Sequence, residues 1–278
     1  MGKRKKLNKL ISILIIILIP LIPFLTWQNN DIVVSYYDYF NNLIPEDFNN
    51  FKILQVSDLH NKEFGNHQVR LLNEIIDFSP DIIIITGDII DRTSSDINNA
   101  ITFIKGAIDI APIYYVSGNH ENDSSLYKEL LNKLKFYGVY ILNNKTISIQ
   151  IKKSTINLMG MSDPTFSNSD YNLFSKKLKT LVQTDKFNIL LSHRPELMNI
   201  YVENKIDLVF TGHAHGGQIR FPFIGGIFSP HQGFFPIYTA GKYETNKTSM
   251  YVSRGLGNSI FPVRLFNRPE IVALRLHN

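Results

Sequence analysis

Cysteine is absent from the 278-residue sequence. This absence excludes a disulfide framework, thiolate metal ligands and a cysteine nucleophile, but it does not fix the compartment, since exported proteins can also lack cysteine. Any metal ion must therefore be bound by imidazole, carboxylate or amide groups. With 44% hydrophobic and 19% charged residues, the chain is long enough for one large α/β domain with a buried core.

Clustered positive charge is lacking from the main part of the chain, although the formal net charge is +5. Five basic residues precede residue 28, where no acidic residue occurs: Lys3, Arg4, Lys5, Lys6 and Lys9. Removing them from the 29 basic residues leaves 24, which equals the 24 acidic residues of the remainder. Because a nucleic-acid-binding surface needs clustered lysine and arginine on the folded domain, we expect no nucleic-acid partner.

An apolar run without charge (LISILIIILIPLIPFLTW) occupies residues 10–27, directly after the basic residues. About 20 apolar residues span a bilayer as a helix, so the run predicts a single-pass transmembrane signal anchor after a cytoplasmic tail over residues 1–9. A cleaved signal peptide is the second alternative, because the run lacks a small-residue cleavage site. The positive-inside rule predicts a membrane protein with an extracytoplasmic domain. A segment broken by Pro20 and Pro23 could instead lie in the interface.

Short apolar runs alternate with helix-like stretches in the remainder of the chain. Residues 28–50 are predicted to be a spacer, and residues 51–278 a folded domain. The predicted strands cover residues 51–56, 82–85, 113–116, 189–191 and 208–210, and the predicted helices cover about 69–78, 96–108, 125–136 and 171–181. This alternation predicts an α/β fold with its site at the carboxyl ends of strands. Strand-like runs over 139–160 and after 218 predict a second, mixed sheet.

Polar clusters carry Asp, Asn and His at the ends of the five apolar runs: SDLH, TGDIID, SGNHE, SHRPE and TGHAHGG. Asp58 and His60 are two residues apart, so on extended backbone their side chains point the same way. A lone histidine after a strand is more often a structural residue than a ligand. Five of the eight histidines, however, lie in these clusters. The combination predicts a site at Asp58, His60, Asp88, Asn119, His120, His193, His213 and His215, whose side chains are all potential metal ligands.

The ordered elements D-x-H, G-D-x-x-D, G-N-H-E, H and G-H-x-H resemble the signature of the calcineurin-like metallophosphoesterase superfamily over about residues 51–216. A late VSRGLG…P-R…RPE stretch over residues 252–270 is similar to the membrane-anchored bacterial branch, which includes UDP-2,3-diacylglucosamine pyrophosphatase-like enzymes. The resemblance implies a metallophosphoesterase catalytic domain over residues 51–278. Its implied fold is a sandwich of two mixed β-sheets flanked by helices, preceded by the transmembrane helix.

The resemblance also implies two divalent metal ions and a role for each site residue. One ion would be held by Asp58, His60, Asp88 and His215, and the other by Asp88, Asn119, His193 and His213. A water bridging both ions would become hydroxide and attack phosphorus. His120 would protonate the leaving oxygen as general acid, oriented by Asp91. Mixed nitrogen and oxygen ligands favour Mn²⁺, Fe or Zn²⁺ over Mg²⁺ or Ca²⁺.

Two further features leave alternatives open. Arg194 could contact a substrate phosphate, or it could pair with Glu196 or another carboxylate. The aromatic run over residues 221–236 (FPFIGGIFSPHQGFFP) could be an apolar loop that touches lipid or an acyl chain, or a packed hairpin covering the sheet edge. Within this run, His231 is predicted to be structural.

The leading function is hydrolysis of a phosphodiester or diphosphate bond, possible substrates being lipid-linked or nucleotide-linked phosphates. A protein serine/threonine phosphatase is disfavoured, because Ser57 and Asn61 stand where the first motif of that family has glycines. The alternative is a catalytically silent metal-binding or regulatory module with the same fold. A missing ligand would be its sign, and every ligand position is filled.

Overall fold

The computed structural model describes residues 2–258 and 261–278, without the side chains of residues 2–5, 7 and 9–17. The anchor predicted over residues 10–27 falls on helix α1 (Gly2–Asn30), and the side chains of residues 10–17 lie outside the described part. Among the described residues, no helix has the length and apolar character needed to cross a bilayer. The anchor is therefore not confirmed, and it stays a prediction.

The strands of the described residues form two six-stranded sheets and two short hairpins. The first sheet contains β1 (Val33–Phe40), β2 (Lys52–Val56), β3 (Ile82–Thr86), β4 (Ile113–Val116), β5 (Tyr140–Ile141) and β16 (Glu270–His277). The second contains β6 (Lys145–Ile151), β7 (Ser154–Gly160), β8 (Asn188–Leu191), β9 (Leu208–Thr211), β14 (Gly241–Thr245) and β15 (Thr248–Val252). The hairpins pair β10 (Arg220–Phe221) with β11 (Gly225–Gly226), and β12 (Phe228–Ser229) with β13 (Gly233–Phe234).

Both sheets are mixed, as the sequence predicts. The strand order is β1-β16-β2-β3-β4-β5 in the first sheet and β14-β15-β9-β8-β7-β6 in the second. Strands β2 to β5 run parallel, and β16 is antiparallel to β2. In the second sheet β15, β9, β8 and β7 run parallel, with an antiparallel strand at each edge.

Strand β3 shows why the central strands read as unbroken apolar runs. Alternate residues of a strand face opposite sides of its sheet. Ile82 and Ile84 pack between the two sheets, whereas Ile83 and Ile85 face the helices on the outside of the first sheet. Because both faces are buried, every position of the strand must be apolar.

The helices cover the two outer faces. They are α2 (Val69–Phe78), α3 (Asn98–Ile108), α4 (Asn119–Asp123), α5 (Tyr127–Phe136), α6 (Tyr171–Leu181) and α7 (Met198–Glu203). Apolar side chains of α2, α3 and α5 pack on the first sheet, and those of α6 and α7 pack on the second. The predicted four-layer α-β-β-α arrangement is confirmed. The helices predicted over 96–108 and 125–136 begin two residues later, at Asn98 and Tyr127.

The spacer predicted over residues 28–50 is wrong for its central part. Residues Val33–Phe40 form β1, the edge strand of the first sheet, in parallel register with Glu270–His277. Its outward side chains, including Tyr36 and Phe40, are exposed, so the segment looks polar and aromatic rather than buried. The strand was missed because its only pairing in the described sheet is with the opposite end of the chain.

Candidate metal centre

The predicted metal ligands converge beyond the carboxyl ends of parallel strands from both sheets, where α/β folds place their sites. They form a first cluster of Asp58, His60 and His215, and a second cluster of Asp88, Asn119, His193 and His213. Within each cluster the histidine and carboxylate ligand atoms lie within 4.8 Å of one another. All of these side chains are buried.

Asp88 belongs to the second cluster and lies on the side of it that faces the first. Its Oδ2 atom is 3.2 Å from Nε2 of His193 in the second cluster and 3.9 Å from Nε2 of His60 in the first. Its Oδ1 atom accepts a hydrogen bond from the backbone N–H of His120 at 2.8 Å, which fixes the carboxylate plane. One oxygen therefore faces both clusters while the other is held by the chain.

Left-handed backbone brings most of these side chains inward. The φ angle is +51° at Asp58, +49° at His60, +52° at Asp88, +65° at His213 and +46° at His215. The sequence argument that Asp58 and His60 share a face of extended backbone is therefore wrong, although their side chains do converge. Positive φ at a residue other than glycine costs about 1–3 kcal/mol and is concentrated at functional sites.

Glycines before two of the histidine and asparagine positions leave room for the carboxylates. A Cβ atom on Gly118 would lie 2.2 Å from Oδ1 of Asp88, and one on Gly212 would lie 2.3 Å from Oδ2 of Asp58. Both distances are far below a van der Waals contact. The glycines of G-N-H-E and G-H-x-H thus allow backbone to approach the carboxylates closely.

The second cluster brings together atoms that carry lone pairs. Nδ1 of His193 lies 2.8 Å from the carbonyl oxygen of Thr86, so Nδ1–H donates and Nε2 of the neutral ring has a lone pair. That Nε2 atom faces Asp88, Oδ1 of Asn119 at 3.2 Å and Nδ1 of His213 at 3.0 Å. Facing acceptors repel unless a proton or a cation lies between them. This donor set fits a divalent metal ion with nitrogen and oxygen ligands.

The first cluster also brings atoms with lone pairs together, but the ring nitrogens that face away from it have weaker contacts. Nε2 of His60 faces Nε2 of His215 at 3.2 Å, and Oδ1 of Asp58 lies 3.5 Å from the latter atom. Nδ1 of His60 is 3.4 Å from Oδ2 of Asp91 without hydrogen-bond alignment, and Nδ1 of His215 has no hydrogen-bond partner among the described residues. The inward atoms again fit a cation, but the outer nitrogens are held less firmly.

The pKa values of the facing histidines differ within each cluster. Burial opposes a charge on His193, yet Asp88 and the other nearby carboxylates raise the pKa of His193 to about 10. Burial, together with Arg194, holds the pKa of His213 well below its usual range. The same contrast appears in the first cluster, where the pKa of His60 is raised despite burial and burial holds that of His215 well below its usual range. In each pair, one ring is therefore protonated more readily than the other.

His120 and Asp91 lie beside the first cluster, as predicted for the proton machinery. Nδ1 of His120 is 3.1 Å from Oδ2 of Asp91, and the His120 ring packs edge-on against His60 at 4.5 Å. The backbone N–H of Arg92 also points at Nδ1 of His120, at 3.2 Å. Burial lowers the pKa of His120 to about 4. Nδ1 of His120 therefore accepts the Arg92 N–H, and the Asp91 carboxylate lies close enough to stabilise a positive charge on the ring.

Glu121 has a structural role that the sequence did not reveal. Its buried carboxylate accepts backbone N–H bonds from Asp88 at 2.8 Å, Ile89 at 2.7 Å and Gly118 at 2.7 Å. Burial and the neighbouring Asp88 raise its pKa to about 8. Glu121 thereby joins the turn after β3 to the turn after β4, which places Asp88 beside Asn119. Its position in G-N-H-E was the only signal that could have found it.

Arg194 is held by carboxylates, the second of the two alternatives above. Its guanidinium donates from Nε and Nη2 to Asp163 at 2.5 and 3.0 Å, and from Nη1 to Glu196 at 3.3 Å. The side chain is 2% exposed. Its Nη1 also lies 3.2 Å from Nε2 of His213. Asp163, which fixes Arg194 beside the second cluster, was not predicted; contact between Arg194 and substrate stays a prediction.

The aromatic run over residues 221–236 forms the two short hairpins, but most of its phenylalanines are not packed. Phe228 is 42% exposed, Phe234 is 74% exposed and Phe235 is 67% exposed. The expectation of a packed hairpin is therefore wrong for its side chains. At the tip of the second hairpin, His231 places Nδ1 3.0 Å from Nε2 of His213. No contact between this histidine and the site was predicted, because 15 residues of loop and hairpin separate it from the G-H-x-H motif.

The late stretch over residues 252–270 donates hydrogen bonds to the backbone that carries the first cluster. Nδ2 of Asn267 donates to the carbonyl oxygens of His215 at 2.7 Å and Gln218 at 2.9 Å. The backbone N–H of Gly257 donates to the carbonyl oxygen of Asp58 at 2.6 Å. This stretch therefore fixes the turns that carry the predicted ligands.

The chain is similar to several known proteins. A model described as calcineurin-like phosphoesterase matches residues 51–217. The chain is 33% identical over 242 residues to the uncharacterized metallophosphoesterase YkuE of Bacillus subtilis (strain 168), covering 84% of this chain and 82% of that protein. It is 28% identical over 235 residues to the phosphodiesterase YaeI of Escherichia coli (strain K12), covering 81% and 82%. The crystal structure of a phosphopantetheinyl hydrolase from Mycobacterium tuberculosis is similar with a TM-score of 0.49 and 11% identity, covering 75% of this chain and 91% of that one.

The superfamily predicted from the motifs is thereby confirmed. The chain belongs to the calcineurin-like phosphoesterase family, whose members use two divalent metal ions, and it is a metallophosphoesterase that hydrolyses phosphoester bonds.

Proposed function

We propose that this chain is a dinuclear metal-dependent phosphohydrolase that cleaves a phosphodiester or diphosphate bond. The supporting observation is the pair of clusters whose lone-pair atoms face one another on the two sides of Asp88. A carboxylate shared in this way is what a two-metal site requires, because it holds both cations near one reacting phosphate.

The two ions would have the ligands that the motifs imply. The first ion would be held by Asp58, His60, Asp88 and His215, and the second by Asp88, Asn119, His193 and His213. When bound, the ions would supply activation of the nucleophile and compensation of the negative charge on the phosphoryl oxygens. The mixed ligand set favours Mn²⁺, Fe or Zn²⁺.

His120 would act as the general acid for the leaving oxygen. Its Nε2 atom faces the site, 4.0 Å from Oδ2 of Asp88, whereas Nδ1 faces Asp91. Protonated His120 would donate its Nε2 proton to the leaving group, with the Asp91 carboxylate 3.1 Å from its Nδ1 atom. Asp91 would thus stabilise the ring before the transfer and orient it throughout.

A lipid-linked phosphate or diphosphate is the substrate class that we place ahead of soluble phosphodiesters. Its support is the exposed apolar surface of Phe228, Phe234 and Phe235, on a hairpin whose tip contacts His213. A UDP-linked acylated glucosamine belongs to this class, and the name of YaeI supports a phosphodiester. The membrane anchor over residues 10–27 would place the enzyme beside such a substrate, and detection of the full chain only in the soluble cell fraction would rule the anchor out.

Hydrolysis of bis(p-nitrophenyl) phosphate by the purified full chain tests the catalytic proposal. After chelation, activity should be absent, and it should return with Mn²⁺. Asp88→Asn and His120→Ala should lower it, whereas the exposed matched controls Asp185→Asn and His67→Ala should not. Activity that is the same with and without metal ions, or that is unchanged in the two site variants, would contradict the proposal. Two bound ions without turnover of any phosphate ester would favour the silent binding module instead.

A further inference from the structure

His231 is the residue through which the β12–β13 hairpin reaches the metal centre. It lies at the hairpin tip, and its ring stands 5.1 Å from that of His213 with Nδ1 3.0 Å from Nε2 of His213. The tip has its own support, because Gln232 exchanges two hydrogen bonds with the backbone of Tyr238 at 2.8 and 2.9 Å. The hairpin itself therefore holds His231 at this position.

The proton on His213 has a defined place when this ring binds a metal ion. Nδ1 of His213 points into the second cluster, 3.0 Å from the lone pair on Nε2 of His193. A ring that ligates through Nδ1 must, as neutral imidazole, carry its proton on Nε2. A metal-bound histidine is oriented by the acceptor that takes this outer N–H. The outer N–H of His213 therefore needs an acceptor.

Among the described residues, two groups lie at hydrogen-bond distance from Nε2 of His213, and one of the two can accept. Nη1 of Arg194 is 3.2 Å away, but a guanidinium has donors alone. Arg194 donates from Nε and Nη2 to Asp163 and from one Nη1 proton to Glu196. The second Nη1 proton lies against Nε2 of His213, so the guanidinium would have to shift from this atom when the atom carries a proton. Nδ1 of His231, at 3.0 Å, can accept when the His231 ring is neutral with its proton on Nε2. His231 is thus the available acceptor.

We propose that His231 is a positioning residue for the second metal ion: its Nδ1 accepts the Nε2–H of His213 and keeps the Nδ1 lone pair of His213 directed into the second cluster. This inference rests on the proposed dinuclear function. It gives one residue of the aromatic hairpin a part in positioning the metal ligands. His193 has the equivalent support from the carbonyl oxygen of Thr86.

A third metal ion at this place is a weaker explanation. Glu196, His213 and His231 do offer ligand atoms within 4.8 Å of one another. The guanidinium of Arg194, however, lies 3.2 Å from Nε2 of His213 and 3.3 Å from Oε1 of Glu196. A fixed positive charge in the middle of the group repels a cation. A hydrogen bond between the two rings avoids this repulsion.

Calorimetric titration of Mn²⁺ into the metal-free full chain tests the proposal, using His231→Ala, His231→Asn and the hairpin control Phe234→Ala. Asn retains an acceptor oxygen close to the position of Nδ1, whereas Ala removes it. We expect two ions per chain in every variant. In His231→Ala the ion of the second cluster, which is the tighter-bound ion of the unsubstituted chain, should have its Kd raised about 10- to 100-fold, the usual effect of losing such an outer contact. His231→Asn should restore most of the affinity, and Phe234→Ala should match the unsubstituted chain.

The outcomes separate this inference from the proposed function. If the unsubstituted chain binds two ions and His231→Ala binds both with unchanged affinity, His231 does not position the second ion. The same conclusion follows if His231→Asn is no better than His231→Ala. If the unsubstituted chain binds one ion or none, the dinuclear function fails and the inference fails with it. Three ions per chain, with one lost in His231→Ala, would overturn the hydrogen bond in favour of a third site.

Discussion

The two metal-ligand clusters have the same chemistry but different surroundings. In the second cluster the outer nitrogen of His193 bonds to the Thr86 carbonyl at 2.8 Å, and that of His213 meets His231 at 3.0 Å. In the first cluster, His60 has only a misaligned contact with Asp91 at 3.4 Å, and the outer nitrogen of His215 has no hydrogen-bond partner in the described part of the chain. The second cluster is therefore the better organised of the two.

This difference indicates a division of labour. Histidines with fixed outer nitrogens lose less orientational freedom when a metal binds, so we expect the second cluster to hold its ion more tightly. The first cluster lies beside His120 and Asp91, where proton transfer is proposed. We therefore expect the second cluster to hold its ion firmly and the first cluster to lie beside the proposed proton transfer.

Replacement of the shared carboxylate should have the largest effect and should remove the difference between the clusters. Asp88→Asn withdraws one anionic ligand from both ions, and two losses of about 10²-fold each combine to about 10⁴-fold in kcat/KM. Metal content should fall in both sites. Steady-state kinetics and metal analysis of the full chain check this. Loss of a single ion with activity retained would show that Asp88 is not shared.

Removal of the proposed general acid should lower activity without changing the metal content. His120→Ala should reduce kcat on the order of 10²–10³-fold for a substrate with an alkoxide leaving group, which needs a proton. The loss should be smaller for a p-nitrophenolate leaving group, which departs readily as an anion. Comparison of the two substrates at saturating Mn²⁺ measures this. Equal losses for both would assign His120 to substrate positioning.

Single-ligand variants should sharpen the contrast between the clusters. His215→Ala should leave one tightly bound ion, because the second cluster remains intact. His213→Ala should leave only an ion that binds about 10- to 100-fold more weakly, since the better supported ligands are then incomplete. Equilibrium dialysis against a metal buffer compares the two Kd values. Equal values, or the reverse order, would contradict the ranking.

Weakening the contact between Asp91 and His120 should have the smallest effect of the four. Asp91→Asn keeps the size of the side chain but removes the charge that stabilises protonated His120. We expect kcat to fall about 10-fold, the lower end for an outer hydrogen-bonding residue. Affinity for the ion of the first cluster should change little, because the His60 contact is misaligned. A kcat equal to that of the unsubstituted chain would remove Asp91 from the proton machinery.

The sequence predicted the parts of the fold that depend on local pattern. The continuous apolar run of β3 and the spaced apolar residues of α2 are visible without tertiary contacts. Strand β1 was not predicted, because its pairing with β16 joins the two ends of the chain. The packing of the second hairpin was also left undecided, because phenylalanines in such a run could lie in a core or on a surface.

The site was predicted by residue type, and the structure supplied the reasons for its geometry. Asp58 and His60 converge through left-handed backbone rather than through the period of a strand. Glu121 and Asp163 act by fixing backbone and Arg194, contacts that no spacing rule reveals. His231 reaches the centre by a hairpin whose direction depends on tertiary packing. The residues that cluster at the site were thus readable from the sequence, whereas the contacts that support them were not.

Anomalous scattering from a crystal of the Mn²⁺-loaded full chain is the most direct test of the central claim. Two metal peaks should flank Asp88 at a separation of about 3.5–4 Å, as in other two-metal sites. One peak should contact the first cluster and the other the second, with Nε2 of His213 turned toward His231. A single peak, or a second peak away from Asp88, would contradict the shared dinuclear centre.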